Sequence, residues 1–328
     1  LLSVSLASLT YHLIEKPIRF SNKNKTTKIA ALCALMTSIA CVGIWIQRND
    51  GIKTRENVKL NNMATAELVP PWAKLVPKFE ECQKKIEYVE ECLYQDVKGT
   101  ETVLLLGDSH TLVAFETIAE FNARYGVNTL ALSSHIVKRK FNATLEEHLA
   151  SLEYRLSRLP TAIYSSISRV FIIERGVLRL KGKDVDGVKN QNYWAPYGAE
   201  NLYRRLQYLT DYFRKDGKKV FIVEENPIWP VHIRNRIVLQ PFRPNKSSFI
   251  LHKQDVLNNQ KEYLNLLAAI HGAKIIRTVD AFCPENTCLS INRDGLPLYY
   301  DTGHLSGAGN RFLLEHVLKP YLEKAPPR

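Results

Sequence analysis

The sequence predicts an α/β fold of three layers, with helices on both faces of a five-stranded, mostly parallel sheet. Three observations predict it. Five continuous apolar runs, Thr102–Leu106, Val127–Leu132, Val170–Ile173, Val220–Val223 and Lys274–Val279, suit strands buried on both faces. Amphipathic segments separate them: Leu112–Tyr125, Leu145–Leu159, Ala199–Lys215 and Val256–His271, with a last one, Gly307–Leu322, after the fifth run. Strand and helix alternate throughout, which calls for right-handed crossovers and a helix layer on each face. The segments Gly176–Tyr197 and Asn226–Ile250 are long for loops in such a fold, and loops of that length are usually functional or mobile.

Composition sets the outer bounds. The chain has 328 residues, 45% of them hydrophobic and 24% charged, which excludes a disordered tail and allows one large domain or two small ones. Lys and Arg number 45 against 33 Asp and Glu, a formal net charge of +12. Such an excess suits anionic surfaces, but most of it is expected in solvated faces and loops, so charge alone names no partner. The chain opens on Leu1 without an initiator Met, and we read it as part of a longer protein.

Ile29 to Ile46 is the most apolar stretch, eighteen residues without a charge and with Trp45 near one end. At ~1.5 Å per residue a helix of that length spans roughly 27 Å, close to a bilayer's hydrocarbon core. The expectation is a transmembrane helix over 29–47. A signal peptide is the alternative, and the apolar stretch Leu1–Leu13 upstream argues against it. Lys16, Arg19, Lys23, Lys25 and Lys28 crowd its N-terminal side, whereas Arg48 is offset by Asp50 on the other. The positive-inside rule then places Arg19–Lys28 in the cytoplasm and everything after Gln47 outside, with Leu1–His12 as the end of a previous span. The expected plan is a cytoplasmic loop and the end of an earlier membrane domain (1–28), the span (29–47), a linker or extension (48–98) and the α/β domain (99–328). Export argues against nucleic acid as a partner despite the charge.

Cysteine usage agrees with export. Cys33 and Cys41 lie in the apolar stretch, leaving Cys82, Cys92, Cys283 and Cys288. Local loops Cys82–Cys92 and Cys283–Cys288 are the simplest of the three pairings. A zinc site competes, but neither pair has the spacing of a zinc knuckle and no His lies close to either.

Two short motifs carry the chemistry. The first strand runs into Leu106-Gly107-Asp108-Ser109-His110, directly before a helix. Ligands of open α/β sheets sit beyond the carboxyl ends of strands, which is where Ser109 falls, and helix-start amides suit an oxyanion. Helix capping by Asp108 or Ser109 is the plain alternative. The second motif is Asp301-Thr302-Gly303-His304-Leu305-Ser306, just before the last helix. Asp and His three apart on a turn let the carboxylate back the imidazole, whose other nitrogen can take a proton from a Ser hydroxyl. Together the motifs point to a Ser–His–Asp site built from Ser109, His304 and Asp301.

GDSH after the first strand and a late DxxHLS resemble the first and last blocks of the SGNH hydrolase/transferase superfamily, over roughly Val103 to Tyr321. Upstream, Tyr11-His12-Leu13-Ile14-Glu15-Lys16-Pro17-Ile18-Arg19 resembles the closing motif of acyltransferase-3 membrane proteins. Bacterial O-antigen O-acetyltransferases join such parts in this order. The resemblance implies O-acetylation of a surface polysaccharide in the periplasm, in partnership with an N-terminal acyltransferase-3 domain at the inner membrane. Acetyl groups would come ultimately from cytoplasmic acetyl-CoA, with no cofactor bound directly and no metal required. It assigns Ser109 as nucleophile, His304 as general base and Asp301 as the acid that orients it.

The superfamily's usual oxyanion residues, a Gly after the second strand and G-x-N-D after the third, are missing here. Ser133-Ser134-His135 and Glu174-Arg175-Gly176 stand in their places. Arg near the third block is shared with the fused acyltransferases, so Arg175 either donates to an oxyanion or a sugar hydroxyl or is a salt-bridged structural residue. The N–H of Ser109 is the first oxyanion candidate and that of Ser134 the second. Asn226 either reaches the site or forms a turn before Pro227. His110 is expected as a helix-start residue rather than a second base, and His135 is a lesser candidate for lining the site. Tyr193, Trp194, Tyr197, Trp229 and Phe242 fall in the two long segments, where their rings either line a glycan groove or pack on the core. An acetyl esterase and a non-catalytic glycan-positioning module remain as alternative functions.

Overall fold

A computed structural model of the chain describes residues 8–16, 25–48, 76–86, 91–133, 144–181, 198–230, 232–233 and 250–323. Two compact units divide the chain, Leu1–Lys59 and Leu60–Arg328.

In the first unit one helix, α1, runs from Lys25 to Arg48. It covers the stretch expected to cross a membrane, but among the described residues no helix is long and apolar enough to do so. The transmembrane expectation is therefore corrected. Lys25, Lys28 and Arg48 lie within the helix, and Thr37 and Ser38 put two hydroxyls at its middle. Those hydroxyls donate back to the carbonyls of Cys33 and Ala34, at 2.8 Å each. Leu35, Met36, Ile39, Val42, Ile44 and Trp45 are all exposed.

The second unit begins with α2 (Val76–Lys85) and β1 (Cys92–Gln95), joined by the Cys82–Cys92 disulfide. It continues through β2 (Thr102–Gly107), α3 (Ser109–Ala123), β3 (Asn128–Ser133), α4 (Leu145–Ser157), α5 (Thr161–Ser166), β4 (Ile167–Ile173) and α6 (Gly176–Lys181). Then come α7 (Ala199–Arg214), β5 (Lys219–Val223), α8 (Lys253–Ala268), β6 (Lys274–Ile276) and α9 (Val279–Phe282). The last helix, α10 (Gly307–Leu313), passes through a π-type turn at Leu314–Leu318 into Lys319–Leu322. Cys283 and Cys288 form the second disulfide, after α9.

The sheet has six strands rather than five, in the order β1-β3-β2-β4-β5-β6. The five expected strands are mutually parallel, and β1 adds an antiparallel edge against β3. The segment 48–98, expected as a linker, thus supplies in its second half a helix and a strand of the domain itself. The fifth run is shorter than its apolar pattern suggests. The Glu224 carboxylate accepts the Thr278 N–H at 2.8 Å and the chain turns into α9.

Alternation along the strands divides the core in two, as the period of a strand requires. Val103, Leu105, Phe171, Phe221 and Val223 face α3 and α10, while Leu104, Leu106, Val170, Ile172 and Ile222 face α4, α7 and α8. Every residue of β2 and β3 is buried, which is why those runs carry no polar stripe. Strand order reverses at β2, with β3 on one side and β4, β5 and β6 on the other. In open α/β sheets such a reversal is where ligands bind, which here is the carboxyl end of β2.

Two glycines permit close approaches that bring the site's elements together. A Cβ on Gly107 would lie 1.8 Å from the Ile173 carbonyl oxygen, and one on Gly309 would lie 1.9 Å from that of Leu298. Backbone atoms cannot swing aside as a flexible side chain can. Gly107→Ala is expected to destabilise the fold by about 1–3 kcal/mol, the usual range for overpacking. An unchanged urea midpoint would contradict this packing.

Candidate active site

Ser109 opens α3 at the end of β2, and its neighbours set its direction. Asp108 is the cap: its Oδ1 accepts from the His110 N–H at 3.0 Å and its Oδ2 from the Arg175 N–H at 2.8 Å. One buried carboxylate therefore ties the β2–α3 corner to the end of β4, and the Ser109 hydroxyl is not spent on capping. Thr111, further along the first turn, donates to the Ile173 carbonyl at 2.6 Å and secures the same two ends.

The Asp301–His304 turn forms the opposite wall. Asp301 Oδ1 accepts from the N–H groups of Gly303 and His304 at 2.8 and 2.7 Å. Its Oδ2 meets His304 Nδ1 at 2.6 Å. The turn is pinned from the segment after β5: Asn226 Nδ2 donates to the Gly303 carbonyl at 2.8 Å, and the Trp229 N–H to the Thr302 carbonyl at 2.7 Å. Ser306 then caps α10, accepting from the Gly309 N–H at 3.0 Å, and Asn310 Nδ2 donates to the Val113 carbonyl on α3 at 3.0 Å.

The two walls meet where Ser109 Oγ lies 2.7 Å from His304 Nε2. Burial raises the Asp301 carboxyl, but the His304 ring and the two N–H groups outweigh it and hold the group well below the usual carboxylate range. An ionised Asp301 can only accept, so His304 carries its proton on Nδ1 and Nε2 is left to accept from Ser109. Such an arrangement can deprotonate a hydroxyl as it attacks an acyl carbon and return the proton to the leaving group. The helix start adds the Ser109 N–H for developing negative charge.

A family model for the "SGNH domain (fused to AT3 domains)" matches residues 79–319. The chain belongs to that family. Its SGNH domain thus includes most of α2 and all of β1, and it is a domain of acyl-ester-acting enzymes. No curated protein sequence matches the chain. Among solved structures it is similar to the acetyl xylan esterase AlAXEase, at 16% identity and a TM-score of 0.39, over 65% of this chain and 95% of that one. It is also similar to a GDSL-like lipase from Bacteroides thetaiotaomicron VPI-5482, at 13% identity and a TM-score of 0.38, over 74% and 95%. The acetylxylan esterase Axe2 from Geobacillus stearothermophilus shares 12% identity at a TM-score of 0.34, over 71% and 99%. Likenesses this distant decide nothing about substrate or activity.

Within the SGNH domain, the remaining candidates separate by what their side chains touch. Arg175 is buried, with Nε 3.8 Å from Glu225 Oε1. Asn226 is buried and donates to the Gly303 carbonyl, which braces the turn. Trp229 is fully buried in the core, its ring edge-on to Tyr299 at 5.8 Å, which removes it from any glycan groove. Ser134, His135, Tyr193, Trp194, Tyr197 and Phe242 lie outside the described residues. All four cysteines outside the apolar stretch are paired as Cys82–Cys92 and Cys283–Cys288.

Behind the site lies a buried charged layer that sequence reasoning misses. Arg205 Nη1 contacts both oxygens of Glu174 at 2.6 Å, and its Nε donates to His148 Nε2 at 3.1 Å. Glu225 Oε2 accepts the Val177 N–H at 2.7 Å. Burial dominates at Glu225 and pushes its carboxyl up to about 8, against lowering by Arg175 and the Val177 N–H. The only sequence signal is a set of charged residues straight after apolar runs, Glu174-Arg175 and Glu224-Glu225.

Glu225 makes stability depend on pH with a definite sign. Its folded value of about 8 exceeds the ordinary 4.5, so the fold binds a proton that the unfolded chain has already lost. That contribution is complete below pH 4.5 and is lost as pH rises through 8. Stability should therefore fall across this window, by up to about 1.4 kcal/mol per pH unit. Urea midpoints at pH 5.5 and 8.5 should differ less in Glu225→Gln than in the parent. An equal difference in both would exclude this assignment.

Proposed function

We propose that this protein is an O-acetyltransferase that moves acetyl groups onto sugar hydroxyls of lipopolysaccharide O-antigen, with Ser109 as nucleophile, His304 as base and Asp301 as the acid that orients it. The observation that carries the reading is the unbroken line Ser109 Oγ–His304 Nε2 and His304 Nδ1–Asp301 Oδ2, at 2.7 and 2.6 Å, in a domain of the family fused to AT3 domains.

In this reading Ser109 Oγ attacks the carbonyl carbon of an acetyl donor as its proton passes to His304 Nε2. The donor's ester or thioester bond breaks, and the leaving group takes that proton. A sugar hydroxyl then attacks the acetyl-serine, its proton goes to His304, and Ser109 recovers it as the acyl bond breaks. The Ser109 N–H supports the oxyanion in both steps.

An AT3 domain in the same protein would deliver acetyl groups originating in acetyl-CoA at the inner membrane. The two disulfides support a periplasmic site of action, because they persist in oxidising compartments. An acetyl esterase would use the same three side chains, with water in place of the sugar. A glycan-positioning module without chemistry would have no need of an imidazole oriented on a hydroxyl.

The deciding measurement is the acetyl content of surface polysaccharide in cells making the parent protein or Ser109→Ala at matched levels. Loss of acetyl groups in the variant is the expected result. Unchanged acetyl would leave this domain with a positioning role only, and a rise would make it an esterase.

A further inference from the structure

His110 stands beside the nucleophile and is absorbed neither by capping nor by the triad. Its backbone N–H serves the Asp108 cap, but its side chain turns inward. The ring is buried, its centroid lies 4.6 Å from that of His304, and the two planes are tilted by 44°. Gly303, in the middle of the Asp301–His304 turn, backs onto the same ring: a Cβ there would sit 3.8 Å from His110 Cε1 and 3.9 Å from Nε2. His110 Nε2 is buried without a hydrogen-bond partner.

Resting on the assignment of Ser109 and His304 above, we propose that His110 is a positioning residue, which backs the imidazole of His304 with an uncharged aromatic face and takes no proton from Ser109 itself. Three features of the surroundings favour this role. The ring lies against the base, so it limits rotation of His304 away from Ser109 Oγ. Asn226 holds that turn from the β5 side by the Gly303 carbonyl, leaving His110 to hold it from the α3 side.

The third feature is charge. Burial first, and then the charge on His304, bring His110 down to about 3; Arg175 adds to the lowering, while Asp108 and Asp301 oppose it. The ring thus stays neutral when His304 becomes an imidazolium. An electron-rich neutral ring beside a developing cation attracts it, where a second cation would repel it.

Reaction of Ser109 with a fluorophosphonate tests the proposal, because it needs the activated hydroxyl but no knowledge of donor or acceptor. The full chain and its His110→Ala and His110→Phe variants are labelled over pH 5–9, with melting temperatures measured alongside. His110→Ala should label about tenfold more slowly, as a loosened base loses its alignment. His110→Phe, which keeps the ring and removes both nitrogens, should stay within about twofold of the parent and follow the same pH profile.

Unchanged labelling in His110→Ala overturns the inference while the nucleophile assignment stands. A His110→Phe protein as slow as His110→Ala overturns it too, since a nitrogen and not the ring would then be required. A parent chain that does not label at Ser109 overturns the nucleophile assignment and this inference with it.

Discussion

A hydroxyl and an imidazole 195 positions apart in the chain meet at 2.7 Å, and the rest of the domain exists in a form that keeps them there. Ser109 is fixed by the end of β2 and His304 by a turn before α10, so neither is held by its sequence neighbours alone. The parallel sheet sets the first position, because strand order reverses at β2 and Ser109 follows directly on its end. Asn310 closes the distance from the other side by joining α10 to α3. An α/β sheet with rigid strand ends is suited to this task, since reacting groups on regular elements move less than groups on loops.

Carboxylates beyond the strand ends share one duty. Asp108 receives the His110 and Arg175 N–H groups, Glu224 that of Thr278, Glu225 that of Val177, and Asp301 those of Gly303 and His304. Each catches the chain as it leaves a strand or enters a turn and satisfies donors that would otherwise be orphaned. Concentrating acids in one layer has an electrostatic cost. Glu174 meets it with Arg205, Asp301 with His304, and Glu225 by keeping its proton.

Much of this is legible from residue order, and the exceptions have physical causes. The five parallel strands announce themselves because burial on both faces forces continuous apolar runs. β1 does not: Cys-Leu-Tyr-Gln is too short to carry a period, and its place is decided by pairing with β3 and by the disulfide to α2. The meeting of Ser109, His304 and Asp301 is legible because the three fall in two short motifs, one at the end of a strand and one just before the last helix. Arg175 and Asn226 are not, because a polar residue in such a place turns toward solvent or toward a buried partner on the strength of contacts far away in sequence. His110 is hidden for the same reason: its neighbour in the fold, Gly303, is nearly two hundred residues distant. Apolar content alone also overstates α1, whose hydroxyls and terminal charges lie within the helix.

The disulfide pattern bears on how the domain is made. Each bond joins a cysteine to the very next one in the domain, across separations of 10 and 5 residues. Among the four cysteines of the domain, a chain that emerges from its N-terminus and meets an oxidant therefore finds each correct partner before any other unpaired one. No reshuffling is required to reach the native connectivity. The first bond also ties β1 to α2 before β2 has been synthesised, so the strand is already tethered when β3 arrives to pair with it.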